Sequence, residues 1–517
     1  MSFGKMLRRA IPALVLAAGT LLGASTAQAL EEGDVAPEIA KPGLRWFNVA
    51  EPVTLASLRG RIVILDFWTE GCINCIHIIP ILREVEKQFP DRVAVIGVHS
   101  PKFAEEKSAD SVQDAILRYE LRHPIVHDPK MSIWNAYGVQ AWPTLFVIGP
   151  DGKVIAQLAG EPDPKKFPKG IASLVANADK AGSLKPAELA LKPEEVPQGR
   201  FLFPGKLKAA PGATAQWALA DAGHHQIVLL DDKGQDVHRY GSGKAGFADG
   251  DATTASFNRP QGLIADETAI YVADTENHAI RRIDRASGKV TTLAGDGKRG
   301  SVLGAAQPAR TTSLASPWDL EKKGTHLYFA NAGTHQIGEL DLSNNTLQRL
   351  AGSGSEALEV GAADAAAFAQ PSGLSLGRDG KTLYVADAES SAIRAIALDD
   401  HNTTTTLVGT GLFDFGHKDG AFGVARLQHP LGVFADGDRV LVADTYNSRV
   451  RTLDLPHKTV MDFDGGKYTC IDPVCVPTRE PAGIVAVGSD RVLLVDTGNH
   501  RIEEYRPSTK TSHTWAR

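Results

Sequence analysis

Asp66-Phe67-Trp68-Thr69-Glu70-Gly71-Cys72-Ile73-Asn74-Cys75-Ile76-His77-Ile78-Ile79-Pro80 decides the reading of the first part of the chain. The β-branched run Ile62-Val63-Ile64-Leu65 ahead of it reads as a buried strand, and Ile76 to Phe89 has the apolar spacing of an amphipathic helix. Cys72 and Cys75 therefore fall at a strand-to-helix junction. A first cysteine at that place sits at the positive end of the helix macrodipole, beside backbone N–H groups that lack an intrahelical partner. Both effects favour the thiolate, the nucleophilic form. The second cysteine follows three residues later, one helical turn on, within reach of the first.

The chain has 517 residues, is 43% hydrophobic and 22% charged, and carries a formal net charge of −6, which describes a soluble protein too long for one domain. Lys and Arg total 55 against 61 Asp and Glu, with no basic run or stripe, so nothing points to a nucleic-acid partner. Lys5, Arg8 and Arg9, the apolar stretch from Ile11 to Leu22, and Ala27-Gln28-Ala29 have the order of a cleaved signal peptide over residues 1–29. Arg8-Arg9 lacks the rest of a twin-arginine consensus, and the apolar stretch is short for an uncleaved anchor. The expected location is periplasmic or secreted, where disulfides persist.

From Ile62 onward, strand and helix patterns alternate: Ile62 to Phe67, Ile76 to Phe89, Val93 to Val98, Ser111 to Leu121, Leu145 to Ile148, Val154 to Leu158 and Pro168 to Ala178. This is the pattern of an α/β domain with a central sheet covered on both faces, assigned to residues 30–182. Residues 183–199 carry Pro186, Pro193 and Pro197 among charged residues, and read as a semi-rigid linker.

The quoted stretch resembles the thioredoxin-like superfamily, in particular its extracytoplasmic thiol–disulfide oxidoreductases. Asp66, Phe67, Trp68, Cys72, Cys75 and Pro80 match that family's pattern. The resemblance implies that Cys72 is the attacking thiol, Cys75 the resolving thiol, Asp66 the carboxylate that moves the resolving thiol's proton, and Pro80 a helix kink. Val139-Gln-Ala-Trp-Pro-Thr-Leu-Phe-Val147 looks like the family's second signature, with a cis bond at Trp142-Pro143 facing the cysteines. Trp68, Trp142 and Thr144 then stand as candidate substrate contacts, and no cofactor is implied. Departures are Gly71, where the family has Trp or Pro, and Ile73-Asn74 between the cysteines. Zinc binding at Cys72 and Cys75 lacks two further ligands at ligand spacing, with His77 too close in sequence and His99 at the end of a strand. A thiol peroxidase has a Pro where Leu65 stands.

The remainder is a repeat. Six times an apolar run ends in Asp or Asn and a β-branched residue follows six positions later, at Asp221, Asp274, Asn331, Asp387, Asp444 and Asp496, with periods of 52 to 57 residues. Runs such as Ile270-Tyr-Val-Ala-Asp274 are short and rich in strand formers, and four strands per unit over six units read as an all-β, six-bladed propeller across residues 200–517. Tyr271 to Arg281 and Leu441 to Arg451 resemble NHL repeats, and the whole mature chain resembles the NHL-repeat-containing thioredoxin-like proteins.

His225, His278, His335 and His500 recur four residues after the motif residue, and they read as serving each blade locally rather than holding a metal. The residues flanking Pro260, Pro317, Pro371, Pro430 and Pro481 include one His and one carboxylate, a poor metal set but a reasonable polar binding mouth. A propeller-based lyase or lactonase is accordingly the weaker alternative. Cys470 and Cys475 flank the turn at Asp472-Pro473 and read as a structural disulfide.

The sequence therefore leads to an extracytoplasmic thiol–disulfide oxidoreductase whose propeller docks a protein. The substrate would carry a disulfide or thiols, and a membrane thiol–disulfide electron donor is implied for a reductase. The opposing reading is a non-catalytic scaffold with a structural Cys72–Cys75 disulfide.

Overall fold

The computed structural model describes residues 30–212, 216–399, 401–466 and 468–517. The expected signal peptide, residues 1–29, lies outside the described residues. No helix among the described residues is long and apolar enough to cross a membrane.

In the first domain the elements run β1 (Trp46–Phe47), β2 (Ile62–Trp68), α1 (Ile73–Gln88), β3 (Val93–His99), α2 (Ala109–Arg118), β4 (Ile125–His127), α3 (Ser132–Ala136), β5 (Thr144–Ile148), β6 (Val154–Ala159) and α4 (Lys166–Lys180). They form one sheet in the order β1-β4-β3-β2-β5-β6, in which β2, β3 and β4 are parallel and β5 is antiparallel to its neighbours β2 and β6. Strands β2 and β3 are buried at every position, which is why they read as unbroken apolar runs. Ile62 and Ile64 face α1 and α4, whereas Val63, Leu65 and Phe67 face α3 and Tyr137. The two-residue side-chain period of a strand thus feeds two cores at once.

Three elements escaped the sequence pattern: β1, β4 and α3, of two, three and five residues, too short for any periodicity to declare itself. Helix α1 starts at Ile73, three residues earlier than expected, so Cys72 is its N-cap and Cys75 lies inside it. Residues 183–199 also depart from a free linker. The N–H groups of Lys185, Ala187 and Lys192 donate to the carbonyls of Gly60, Asp91 and Asn48 at 2.7, 3.0 and 2.7 Å, strapping the segment along the first domain.

The second domain is six blades, each a sheet of four or five strands that are antiparallel except for the short Thr469–Cys470 strand, with inner strands Leu207–Ala209, Gly262–Ala265, Pro317–Lys323, Pro371–Leu376, Gly432–Asp436 and Pro481–Val487. The first and last of these pack together and close the ring. Each motif residue is fully buried. Its Oδ1 accepts the N–H of a residue just ahead of its own blade's inner strand, as Asp274 does from Asn258 and Asp387 from Ala369, both at 2.7 Å.

In four blades the other carboxylate oxygen pairs with a buried arginine: Asp274–Arg281 at 2.7 Å, Asp387–Arg394 at 3.3 Å, Asp444–Arg451 at 3.2 Å and Asp496–Arg501 at 2.8 Å. In the third blade the acid becomes Asn331, and the facing residue is the neutral Gln336, which donates to the Leu303 and Gly352 carbonyls. The substitution pattern keeps net charge out of the interior, where a lone ion is costly.

The recurring histidines link blades instead of serving one. Nδ1 of His225, His278, His335 and His500 accepts the N–H of Arg259, Ser316, Gln370 and Phe203, the entry residues of the following blades, at 3.0 to 3.2 Å. Burial keeps these rings neutral, with His278 pushed down to about 3 and the other three to about 4, so each nitrogen stays available as an acceptor.

Removing one member of a blade's ion pair leaves its partner buried and unpaired. Asp387→Ala is expected to cost about 3–5 kcal/mol in denaturant unfolding. The pair Asp387→Asn with Arg394→Gln, which removes both charges together, is expected to cost less than either single change.

Candidate functional site

Cys72 and Cys75 are free cysteines, 9% and 2% exposed. The Cys72 sulfur accepts the Cys75 N–H at 3.2 Å, so an orphan amide of the first helical turn points at the sulfur that the helix dipole also favours as an anion. Burial, then the hydrogen bond to Cys72 and the charges of Cys72 and Asp66, hold the Cys75 thiol well above its usual range. Asp66, near the end of β2, is 4% exposed, and its Oδ1 has no hydrogen-bond partner. Burial pushes its carboxyl up to about 7, with His123 pulling it back. A thiol that resists ionisation beside a carboxyl that titrates near neutrality is a pair between which a proton can move.

The opposite wall is the loop before β5. Its Trp142-Pro143 bond is cis. Trp142 packs against Trp134 in a tilted arrangement with ring centroids 4.4 Å apart and donates from Nε1 to the Ser100 carbonyl at 2.8 Å. The Pro143 carbonyl accepts the Gly160 N–H at 2.8 Å. Of the expected substrate contacts, Thr144, 1% exposed, donates its hydroxyl to the Ala141 carbonyl at 2.7 Å, and Trp68, 4% exposed, packs with both cysteines. Pro80 lies inside α1, where it removes one helical N–H donor.

The propeller mouth is where the structure departs most from expectation. Ser316, Trp318, Gln370, His429 and Glu480, which flank the blade prolines and read from the sequence as part of a polar binding mouth, are all buried, and they face the first domain. Trp318 and Ala332 belong to the same apolar cluster as Cys72, Cys75 and Ile73. His77, at the start of α1, bonds through Nε2 to the Ser316 hydroxyl and through Nδ1 to Glu161, both at 2.9 Å. Lys102–Glu389, Arg118–Glu480 and Arg479–Asp114 are ion pairs across the same interface. At Gly71 an added Cβ would lie 2.9 Å from His429 Cε1 and from the Tyr446 hydroxyl, so the glycine that replaces the family's Trp or Pro makes room for the ring of blades.

Two buried carboxylates beside the cysteines went unnoticed in the sequence. Glu106 accepts the N–H groups of Gly71, Lys102 and Phe103 and is pushed up to about 7 by burial, and Glu70 has both oxygens unpartnered. Glu70 stands at an unspecified position of the cysteine motif and Glu106 outside any motif, so only the packing of the loop after β3 against the cysteine loop could reveal them.

On the propeller axis, Lys206 of the first blade reaches the Leu431 and Ala482 carbonyls, and Lys208 reaches the Leu374 carbonyl and Glu321. His417, Asp419 and Asp462 come close enough together to hold a metal, but Arg449 and Arg451 already pair with the two acids. Cys470 and Cys475 are joined as a disulfide, with Cα atoms 6.0 Å apart.

The raised Asp66 carboxyl makes a signed prediction. As pH climbs from about 4 to about 7, the unfolded chain ionises this group while the folded chain resists, so the native protein loses stability. Asp66→Asn should match wild type near pH 4 and exceed it by up to about 4 kcal/mol above pH 8 in paired denaturant titrations.

The thioredoxin-like family model matches residues 60–154. SUPPRESSOR OF QUENCHING 1, chloroplastic, from Arabidopsis thaliana is 38% identical over 480 residues, covering 89% of this chain and 45% of its own. NHL repeat-containing protein 2 from Homo sapiens is 37% identical over 512 residues, covering 90% of this chain and 70% of its own. A solved thioredoxin-like superfamily protein is 30% identical over 27% of this chain and 96% of its own, with a TM-score of 0.26. The chain thus spans under half of the plant relative and about 70% of the human one. With a thioredoxin-like sheet, a six-bladed ring and that coverage together, the chain belongs to the family of NHL-repeat-containing thioredoxin-like proteins.

Proposed function

We propose that the protein performs thiol–disulfide exchange through Cys72 and Cys75 in an extracytoplasmic compartment. The observation that carries this reading is the Cys72 sulfur at the N-cap of α1, accepting the Cys75 N–H at 3.2 Å with the unpartnered Asp66 carboxyl buried behind the pair. The Cys72 thiolate attacks one sulfur of a substrate disulfide. That S–S bond breaks, a new one forms to Cys72, and the displaced sulfur leaves as a thiolate. Cys75 passes its proton to Asp66 and attacks the Cys72 sulfur, which releases the second substrate thiolate and leaves a Cys72–Cys75 disulfide. Two electrons have moved from the protein dithiol to the substrate disulfide, and an external dithiol must return them. A membrane thiol–disulfide carrier suits that task in an exported protein, with a cysteine-bearing polypeptide as the substrate.

A second reading draws on the burial of Cys72: a scaffold in which the pair does no chemistry. The two readings separate cleanly. Cys72→Ser should bring reduction of a protein disulfide by the purified protein down to the uncatalysed rate, and Cys75→Ser should accumulate a covalent adduct on Cys72 that a reducing agent releases. Turnover by Cys72→Ser equal to wild type would leave the scaffold standing.

A further inference from the structure

The side of Cys72 that faces the propeller is closed. The cavity there, lined by Glu70, Gly71, Trp318, Gln370, His429 and Tyr446 among others, has about 40 Å³, room for a water or two. What closes it has a particular shape. The Gln370 side-chain amide accepts the Ile73 N–H through Oε1 and donates from Nε2 to the Gly71 carbonyl, both at 2.8 Å. These two groups belong to the residues on either side of Cys72. A carbonyl from the preceding residue and an N–H from the following one are the pair an extended peptide takes up in an antiparallel bridge. One primary amide, which offers the same acceptor and donor as a peptide bond, fills both places.

Gln370 is held there by two blades, since its N–H donates to His335 Nδ1 of the preceding blade at 3.1 Å and the neighbouring Ala369 N–H donates to Asp387 of its own. Of the blade-entry residues Arg259, Ser316, Gln370, His429 and Glu480, it bonds to both flanks of Cys72. The closed interface is also costly. Glu70 has neither oxygen hydrogen-bonded, Glu480 keeps Oε1 buried without a hydrogen bond, and Glu389 Oε1 meets His429 Nδ1 only at 3.6 Å. Buried polar groups left unpaired offset much of what the ion pairs contribute, so separation of the two domains is within reach of a competing ligand.

We propose that the propeller is a displaceable cap on Cys72, in which the Gln370 amide occupies a backbone-binding subsite that an extended cysteine-bearing peptide takes over. This deepens the exchange reading and rests on it for the identity of the ligand, while the cap itself is tested without any turnover.

The test compares alkylation of Cys72, in full-length Cys75→Ser protein, by iodoacetamide and by a maleimide carrying a polyethylene glycol chain. The background protein should react with the small reagent far faster than with the large one. Gln370→Ala should speed the large reagent by about tenfold, the loss of roughly one or two net hydrogen bonds, with little change for the small one. Arg479→Ala, which removes the rim contacts to Asp114 and Asp110 without touching the cysteine loop, should act in the same direction. Equal rates for the two reagents in the starting protein, or no response in either variant, would overturn the cap.

For the ligand, wild type is offered a peptide mixed disulfide and the same peptide N-methylated just after its cysteine, which deletes the donor for the Gly71 carbonyl. Slower exchange of the methylated peptide, by about tenfold, against an unchanged rate for a small aromatic disulfide supports the subsite. Equal peptide rates would overturn it. No exchange with any disulfide, alongside a size-selective alkylation response, would defeat the exchange reading and leave the cap intact.

Discussion

The first turn of α1 seats in the mouth of the ring of blades, and the rest of the architecture depends on that contact. Two hydrogen bonds from Gln370 and an apolar cluster shared by Cys72, Ile73, Trp318 and Ala332 make one core from two domains. A neutral amide bond contributes only about 0.5–1.5 kcal/mol net, so most of the affinity between the domains comes from excluding water from that cluster. The rim ion pairs, Lys102–Glu389 and Arg118–Glu480, align the surfaces more than they hold them.

The ring can act as a stiff counter-surface because each blade solves the same electrostatic problem. In four blades a motif carboxylate pairs with a buried arginine and accepts an amide just ahead of the inner strand, the first blade uses Arg239 instead, and where the carboxylate is lost in the third blade the arginine is lost with it. Neutral histidines then tie successive blades at their entry residues. Those entry residues, Arg259, Ser316, Gln370, His429 and Glu480, all adopt positive φ, between 48° and 60°, which turns each chain into its inner strand at the mouth. The result is a rigid frame that presents a different side chain from each blade to the cysteine loop.

Much of this was legible in the chain. The Cys72 and Cys75 pair at a strand end, the alternation of strands and helices, and the six spaced Asp or Asn residues are patterns of short sequence range, and local physics writes them directly. The cis bond at Trp142-Pro143 follows from the motif around it and is present. The Thr144 hydroxyl turned back onto the Ala141 carbonyl and the packing of Trp68 on the cysteines were not legible, because a motif names residues without saying which way their polar atoms point. The histidines were read as serving each blade locally, yet their partners lie 34 to 38 residues ahead in the next blade, or 297 residues back across the ring closure, beyond any local pattern.

By itself the sequence determined the two fold classes, the repeat number and the position of the cysteines at a helix start, since each depends on propensities and periods over a few residues. Only the tertiary structure decided that the polar mouth of the propeller closes over the chain's own cysteines. Gln370 and Gly71 stand 299 residues apart, and their pairing rests on complementary shape and charge between two finished surfaces, which no local period encodes.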